Sequence, residues 1–443
     1  MNKKARVRER LKTALIIVLA AGVVLLGSMT GLYSQLLSAS PAISAVADSV
    51  RFWSRRGTSG EESGSEQKRA SWDIATVSIA VVSENGARCA AKYDIDKTQE
   101  MYNRFSAYLG EALGSAGEPQ SVDESVWRAA LNSPGVYFDF MCSAPLSVVT
   151  DRLGTNAAQS VADYCARRLC LYRNADDGLL LGFMADDGGF YSCMTGLNYS
   201  QLSEKISAYA GNGAKFGFEL IDELPGIEHY ALILDTVPAV YDVSCSAPDM
   251  STADEKSLLS VFAMNSYVAS SYTEADGTRV FVEGGGILRA DTAGRVVYRL
   301  TGDSGMTVGD GGTFTEVEAV NAALSLVNSS VGQFSGDGEL FLSELTFDRL
   351  SGRCTVSFDY SVDGIPVDLG GEHAAQVQMA SGAITAVRLN YRSFAVGNEL
   401  QHPLPERLAA AIVGASGGGE TVLTYIEGAQ NVSLEWKINK TEK

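Results

Sequence analysis

The sequence predicts an α+β protein, with an N-terminal transmembrane helix followed by mixed α+β extracytoplasmic domains in which antiparallel sheets pack against helices. Three observations lead to this prediction. Residues 13–33 form an uncharged apolar run. Apolar side chains recur at helical spacing over residues 101–112, and apolar and polar side chains alternate over residues 353–360, as in a half-buried strand. A helix followed by a meander of strands is typical of helices that cover one face of a sheet.

Residues 13–33 are predicted to be a transmembrane helix. At about 1.5 Å per residue the run reaches roughly 30 Å, the thickness of the hydrocarbon core of a bilayer. Residues 1–12 are strongly basic and are expected to remain as a cytoplasmic tail, which leaves the C-terminal bulk outside the cell membrane. A cleaved signal peptide is the alternative, because residues 45–47 have the small-x-small pattern of a cleavage site. The run is longer than a usual signal core, so a retained single-pass anchor is favoured.

Three small residues within this run, Gly27, Ser28 and Gly31, are the predicted interaction site of the helix. Gly27 and Gly31 form a GxxxG pair, which lets two membrane helices approach closely enough for their backbones to pack. Glycine is also common in membrane helices that have no such role. The predicted function of these residues is helix association within the membrane.

The composition restricts the classes of partner and cofactor. The chain has 443 residues, a formal net charge of −18 at pH 7 and a hydrophobic fraction of 46%, and this length accommodates two or three folded domains. An acidic ectodomain repels phosphate polymers, so no nucleic-acid partner is expected. The seven cysteines are not spaced like a redox pair or a zinc site, so no metal or other cofactor is predicted. Buried thiols and one or two disulfides both fit their spacing.

The folded part is predicted to begin after a linker. Residues 54–71 are polar and rich in glycine and serine, so residues 34–71 are predicted to be a flexible tether between the membrane and the folded part. Three α+β domains are predicted beyond it: an N-terminal domain at 72–248, a small central domain at 249–312 and a C-terminal domain at 313–443.

In the N-terminal domain the pattern predicts two helices and a hairpin. Residues 101–112 form the first helix, and Ser121 with Glu124 is predicted to begin the second as a capping box. Residues 179–184 and 190–194 are predicted as paired strands, because Asp-Asp-Gly turn sequences bracket the first of them.

Beyond residue 248 the pattern begins again with a helix, for which Thr252 and Glu255 form a predicted capping box. Thr315 and Glu318 are predicted to cap a later helix in the same way. Asp-Gly at 363–364 and Ser-Gly at 381–382 predict tight hairpin turns. The predicted strands are residues 279–283, 287–290, 295–300, 353–360, 365–367 and 384–391.

No catalytic arrangement is predicted. A nucleophile needs a base, and the base needs an orienting partner. The chain has three histidines, His229, His373 and His402, and none lies in the usual sequence context of trypsin-like proteases. Residues 302–305 resemble the serine segment of trypsin-like proteases over four residues only, and are predicted to be an exposed loop. We therefore predict a protein that is not an enzyme, without catalytic, cofactor-binding or metal-binding residues, and a binding or regulatory role.

Three stretches resemble the YycH/YycI group, the membrane-anchored extracytoplasmic regulators of the essential cell-wall histidine kinase of Gram-positive bacteria. Residues 265–300, with Ser-Tyr-Thr-Glu-Ala-Asp-Gly before Val-Phe-Val-Glu, resemble the YycH strand pattern around an Asp-Gly turn. Residues 358–367 resemble a segment shared by both members, and residues 72–150 resemble the YycH amino-terminal domain. By this resemblance the 72–248 domain is YycH-like and the 313–443 domain is YycI-like.

The resemblance implies a non-catalytic regulator of a two-component system. Such a protein would modulate a sensor histidine kinase through its transmembrane helix and its ectodomain, with a related membrane regulator as a further candidate partner. Two alternatives stay open. One is a membrane-anchored cell-wall hydrolase, for instance with His373 near Ser381. The other is a module that binds a wall polymer or a peptide.

Overall fold

The computed structural model describes residues 78–248, 252–301, 306–309, 312–414, 418–428 and 431–439. None of the helices in these ranges is long and apolar enough to cross a membrane.

Several predictions from the sequence fall outside the described residues. These are the basic tail, the membrane helix with Gly27, Ser28 and Gly31, the linker at 34–71 and the loop at 302–305.

The N-terminal half is built on a seven-stranded antiparallel sheet with the strand order β2-β1-β4-β5-β6-β7-β3. A separate pair, β8 and β9, follows it in the chain. The strands are β1 (Ser78–Val82), β2 (Arg88–Ala91), β3 (Gln120–Val122), β4 (Gly135–Pro145), β5 (Cys165–Arg173), β6 (Gly178–Ala185), β7 (Phe190–Asn198), β8 (Lys215–Phe216) and β9 (Leu232–Ile233).

Both faces of this sheet are covered, because its central strands are apolar on both sides. Helix α1 buries Met101 and Phe105 against one face, as its helical spacing predicts. Helix α2 buries Trp127 against the other face, together with the segment that contains β8 and β9. The four helices are α1 (Ile95–Gly114), α2 (Glu124–Asn132), α3 (Leu146–Arg152) and α4 (Ser200–Ser207).

The predicted start of the second helix is wrong. Asp123 is the N-cap of α2, and Ser121 lies in β3, where it pairs with Tyr191 of β7. Pairing with a neighbouring strand therefore prevails over the local capping signal. The predicted hairpin is confirmed, since β6 and β7 pair antiparallel across the second Asp-Asp-Gly turn.

The C-terminal half contains an eleven-stranded sheet with the order β11-β12-β13-β14-β19-β18-β16-β17-β21-β22, and β15 pairs with β16. Its pairs are antiparallel except for β17 and β21, which are parallel. The strands of the sheet are β11 (Ser270–Thr273), β12 (Arg279–Glu283), β13 (Gly286–Ala290), β14 (Arg295–Leu300), β15 (Glu339–Asp348), β16 (Arg353–Val362), β17 (Ile365–Asp368), β18 (Ala375–Ala380), β19 (Ala383–Asn390), β21 (Glu420–Glu427) and β22 (Val432–Asn439).

Two further strands and three helices complete this half. Strands β10 (Val240–Ser246) and β20 (Ser393–Gln401) pair with each other. The helices are α5 (Thr252–Val261), α6 (Glu316–Ser329) and α7 (Glu406–Gly414). Helices α5 and α6 pack on the inner face of the large sheet, in one core with the alternating side chains of β16. The capping box of Thr315 and Glu318 at the start of α6 is confirmed.

The predicted hairpins of the large sheet are confirmed by backbone geometry. Asp363 and Gly364 have φ of +50° and +80°, and Ser381 and Gly382 have φ of +51° and +75°. Two successive positive φ values match the twist of the flanking strands, which is why such turns connect β16 to β17 and β18 to β19. Because β12, β13 and β14 join β19 in one sheet, the predicted boundary at residue 312 lies within the span of this sheet.

Candidate functional site

Five charged side chains meet where the two halves contact each other, and we call them the interlobe charge cluster: Asp139, Arg167, Arg168, Glu228 and Glu420. Arg167 donates from Nε to Asp139 Oδ1 at 2.5 Å and from Nη2 to Glu420 Oε1 at 2.9 Å. Arg168 lies with Nε 3.2 Å from Asp139 Oδ2 and with Nη1 2.9 Å from Glu228 Oε1. Asp139, Arg168 and Glu420 are almost fully buried. The cluster therefore joins β4 and β5 of the first sheet to β21 of the second.

Irregular pairing explains how two consecutive arginines reach one carboxylate. Neighbouring residues of a regular strand point to opposite faces. The β4–β5 register shifts between Asp139 and Ala144, and the β5–β6 register shifts between Ala166 and Arg168. Such shifts re-aim side chains locally. The sequence analysis missed this cluster, although a signal was present: charged residues interrupt strands that are otherwise apolar.

Arg167 and Arg168 favour the ionised form of the buried carboxyl groups of Asp139 and Glu420. Burial by itself would raise the pKa of Asp139, but the neighbouring Arg167 and Arg168 outweigh it and hold that pKa well below its usual value. Burial opposes ionisation of Glu420 as well, and the same two arginines lower its pKa. Both carboxylates are therefore ionised at neutral pH and are neutralised only by the partners that the fold supplies.

A second buried ion pair joins the halves at helix α7. Lys92 Nζ lies 2.8 Å from Glu406 Oε1, and both side chains are buried. Glu406 also accepts a hydrogen bond from the Leu234 amide at 2.9 Å, which places the first residue of α7 against the β9 segment of the N-terminal half. Burial disfavours the charged form of Lys92, but the Glu406 carboxylate outweighs it and raises the pKa of Lys92.

Helix α7 is thus held between the two halves while one of its faces stays exposed. Ala410 packs into an apolar cluster with Leu224 and Ile227 of the N-terminal half. On the exposed side of α7 lie Leu408 and Ile412, with 55% and 62% of their surfaces accessible. Leu404, two residues before the helix begins, is 54% accessible. We call these three residues the α7 stripe.

The spacing of the α7 stripe indicates an interaction surface. Single exposed leucines are common on proteins, whereas Leu408 and Ile412 are neighbours on one helix face, and Leu404 precedes them by the same interval of four residues in the sequence. Tyr241 of β10 and Leu400 of β20 form a second exposed apolar pair, because they lie directly opposite each other in the strand register. A surface of this kind fits an apolar face of another protein chain.

The histidines do not form a catalytic relay. His373 Nδ1 lies 2.8 Å from Asp359 Oδ1, and Ser343 Oγ lies 3.5 Å from the same nitrogen. A Ser-His-Asp relay needs the acid and the hydroxyl on different ring nitrogens. The hydrogen bond that His373 donates to the Asp359 carboxylate raises the pKa of His373 against the opposing effect of burial, so this contact is an ion pair when the imidazole is protonated.

The fold does not bring His373 near Ser381, the pair given as an example for the hydrolase alternative. The whole of β18 separates the two residues, which at about 3.3 Å per residue is roughly 20 Å. His229 lies on the surface beside Glu124 and Arg128, and His402 is exposed.

All seven cysteines are free thiols in the structure, and five of them are buried. The alternative of one or two disulfides is therefore not the arrangement that this fold adopts. Burial raises the pKa of the Cys193 thiol to about 11, which keeps it protonated and unreactive at neutral pH. Within the described ranges, no group of three histidine, cysteine, aspartate or glutamate side chains could hold a metal ion.

The fold was compared with known proteins. No protein-family model matches the chain, and no curated protein matches it. Among solved structures, the crystal structure of YycH from Bacillus subtilis matches with a TM-score of 0.48 and 10% sequence identity, over 86% of this chain and 96% of that chain. The matched structure is thus a YycH, the family that the sequence patterns resemble.

Replacing Lys92 by methionine should destabilise the protein strongly. The Lys92→Met variant leaves the Glu406 carboxylate buried without its counter-ion, so we expect the free energy of unfolding to fall by about 3–5 kcal/mol. Chemical denaturation followed by fluorescence measures this loss. The double variant with Glu406→Gln keeps an acceptor for the Leu234 amide and has no buried charge, so most of the loss should be regained. A single variant as stable as the natural chain would contradict the importance of the pair.

Acid should destabilise the protein through the interlobe charge cluster. Because the folded pKa of Asp139 lies below its unfolded value of about 3.8, its contribution is fully present above that value and is lost as the pH falls towards the folded pKa. Asp139→Asn should therefore lower the free energy of unfolding at neutral pH and reduce its further fall below about pH 4. Denaturation midpoints across this range measure the effect. The exposed Asp222→Asn serves as the control, and an identical pH profile in all three proteins would refute the argument.

Proposed function

We propose that the protein is a non-catalytic, membrane-anchored extracytoplasmic regulator of a two-component sensor histidine kinase that controls cell-wall metabolism. The proposal combines the apolar run at 13–33, the sequence patterns that resemble the YycH/YycI group and the geometry of helix α7. The observation that carries it is the α7 stripe, a set of exposed apolar side chains on and just before the helix that contacts both halves of the fold.

The physical requirement for such a regulator is differential binding. A protein outside the cell influences a cytoplasmic kinase only by binding one conformation of a membrane-crossing structure better than another. Two surfaces of this chain suit that task. The small residues Gly27, Ser28 and Gly31 would let its membrane helix pack against a helix of the kinase. The α7 stripe would bind the extracytoplasmic part of the kinase, or a related regulator bound beside it.

Helix α7 is well placed to transmit such contacts. Its buried residue Glu406 is fixed by Lys92, and Ala410 packs against the N-terminal half. The chain then continues into β21, where Glu420 enters the interlobe charge cluster. A partner bound to the α7 stripe would therefore contact a helix that cannot separate from the N-terminal half unless the buried ion pair between Lys92 and Glu406 is broken.

The membrane helix is tested by exchange. Replacement of residues 13–33 by an unrelated membrane helix should weaken or abolish co-purification of the full-length protein with the kinase, and Gly27→Leu with Gly31→Leu should weaken it in the same direction. The partner in this test is a sensor histidine kinase of the same organism. Co-purification that survives the exchange unchanged would exclude a role of the helix in binding.

The α7 stripe is tested independently by charge insertion. Leu408→Asp should weaken association with the partner by about tenfold or more, because it places a charge in the middle of an apolar contact. Leu350→Asp is the matched control, since Leu350 is fully exposed at a hairpin far along the chain from α7. Equal partner recovery by both variants, measured in membranes that contain the kinase, would exclude the stripe as the binding surface.

A further inference from the structure

The arginines of the chain divide into two groups. Most of those that the structure describes form ion pairs with carboxylates. Among the described residues no carboxylate lies within ion-pair distance of the remaining ones, which are Arg295, Arg299, Arg353 and Arg388. All of these exceptions lie on β14, β16 and β19 of the large sheet.

The strand register brings three of them together on the outer face of that sheet. Arg388 of β19 lies directly opposite Val297 of β14, so Arg295 and Arg299 are its two diagonal neighbours. Diagonal neighbours are about 7–8 Å apart, within reach of long side chains. The inner face carries the core, whereas Arg295, Arg299 and Arg388 are exposed to solvent.

The surface between these arginines is concave. A depression of about 110 Å³ is lined by Arg299 and Arg388, with the short side chain of Ala386 among its lining residues. Gln376 and Gln378 of β18 also line it, and Gln376 lies opposite Arg388 in the register. The lining contains no acidic residue. Two cations side by side repel each other when no anion lies between them.

We propose that this depression is a binding site for a phosphate group, supplied either by a soluble phosphate or by the headgroup of an anionic phospholipid. Arg299 and Arg388 would each donate two parallel hydrogen bonds to phosphate oxygens, Arg295 would add charge, and the Gln378 amide would donate from the opposite side. Arginine suits this task because its planar group matches oxyanion geometry.

The geometry favours phosphate over carboxylate. The arginines project from two strands on different sides of the depression, and a tetrahedral group offers oxygens in each of those directions, whereas a carboxylate offers two oxygens in one plane. The size of the depression fits one such group, since pockets for larger ligands usually enclose about 300–1,000 Å³. The strongly negative net charge of the chain still disfavours long phosphate polymers, because the cationic face is local.

Titration of the full-length protein in a non-ionic detergent tests the site. Inorganic phosphate is the first probe and a soluble short-chain phosphatidylglycerol is the second, with short-chain phosphatidylcholine as the lipid control. Arg299→Gln and Arg388→Gln should each weaken saturable binding about tenfold or more, because each removes charge-assisted hydrogen bonds. Arg289→Gln is the matched control: it removes one positive charge from the neighbouring strand, but Glu274 already neutralises Arg289.

Saturable binding of inorganic phosphate supports a soluble ligand, and binding of phosphatidylglycerol alone supports a lipid headgroup. The proposal is overturned if neither probe binds saturably, or if binding persists in Arg299→Gln and Arg388→Gln. Thermal unfolding of the variants checks that the fold is retained, which we expect because both side chains are exposed. The result does not depend on whether the protein regulates a kinase.

Discussion

The contact between the two halves depends on charges that cannot be left unpaired. Arg168 and Asp139 are removed from water, and each owes its ionised state to the other members of the interlobe charge cluster. Removing one partner of such a pair costs several kcal/mol, although the pair itself adds little net stability. The cluster therefore restricts the arrangements of the two halves to those in which Glu420 meets the arginines.

This restriction gives helix α7 its importance. Glu406 at its first turn is tied to Lys92, while β21, which follows α7 in the chain, is tied to Arg167 through Glu420. A helix whose first residue is tied to a buried charge and whose Ala410 packs against the N-terminal half cannot tilt freely. Under the proposed function, binding energy gained at the α7 stripe would bias the arrangement of both halves together, rather than being lost in a local movement of one helix.

The sequence predicted the local structure well and the long-range contacts poorly. The alternation of β16, the two-residue turns at 363–364 and 381–382 and the capping box of Thr315 depend on neighbouring residues, and each is confirmed. Ser121 was assigned wrongly because a distant strand competes for it. The interlobe charge cluster joins residues separated by more than 250 positions, and no local pattern reveals such a pairing; at most, a charge inside an apolar strand signals that a partner exists.

The two groups of arginines follow from the same electrostatic rule. A buried guanidinium such as that of Arg168 must be neutralised by the fold, and the half-buried Arg167 beside it is paired with the same carboxylates, Asp139 and Glu420. Exposed arginines stay hydrated and need no counter-ion from the fold. In this acidic chain, a group of exposed arginines without a described carboxylate within ion-pair distance can therefore be neutralised by an anion from solution. The depression between Arg299 and Arg388 lies on β14, β19 and β18, which are five, four and three strand positions from β21 in the order of the sheet; its middle strand, β19, is roughly 19 Å from β21. An anion there would not compete sterically with a protein on the α7 stripe, so any coupling between the two sites would have to pass through the sheet itself.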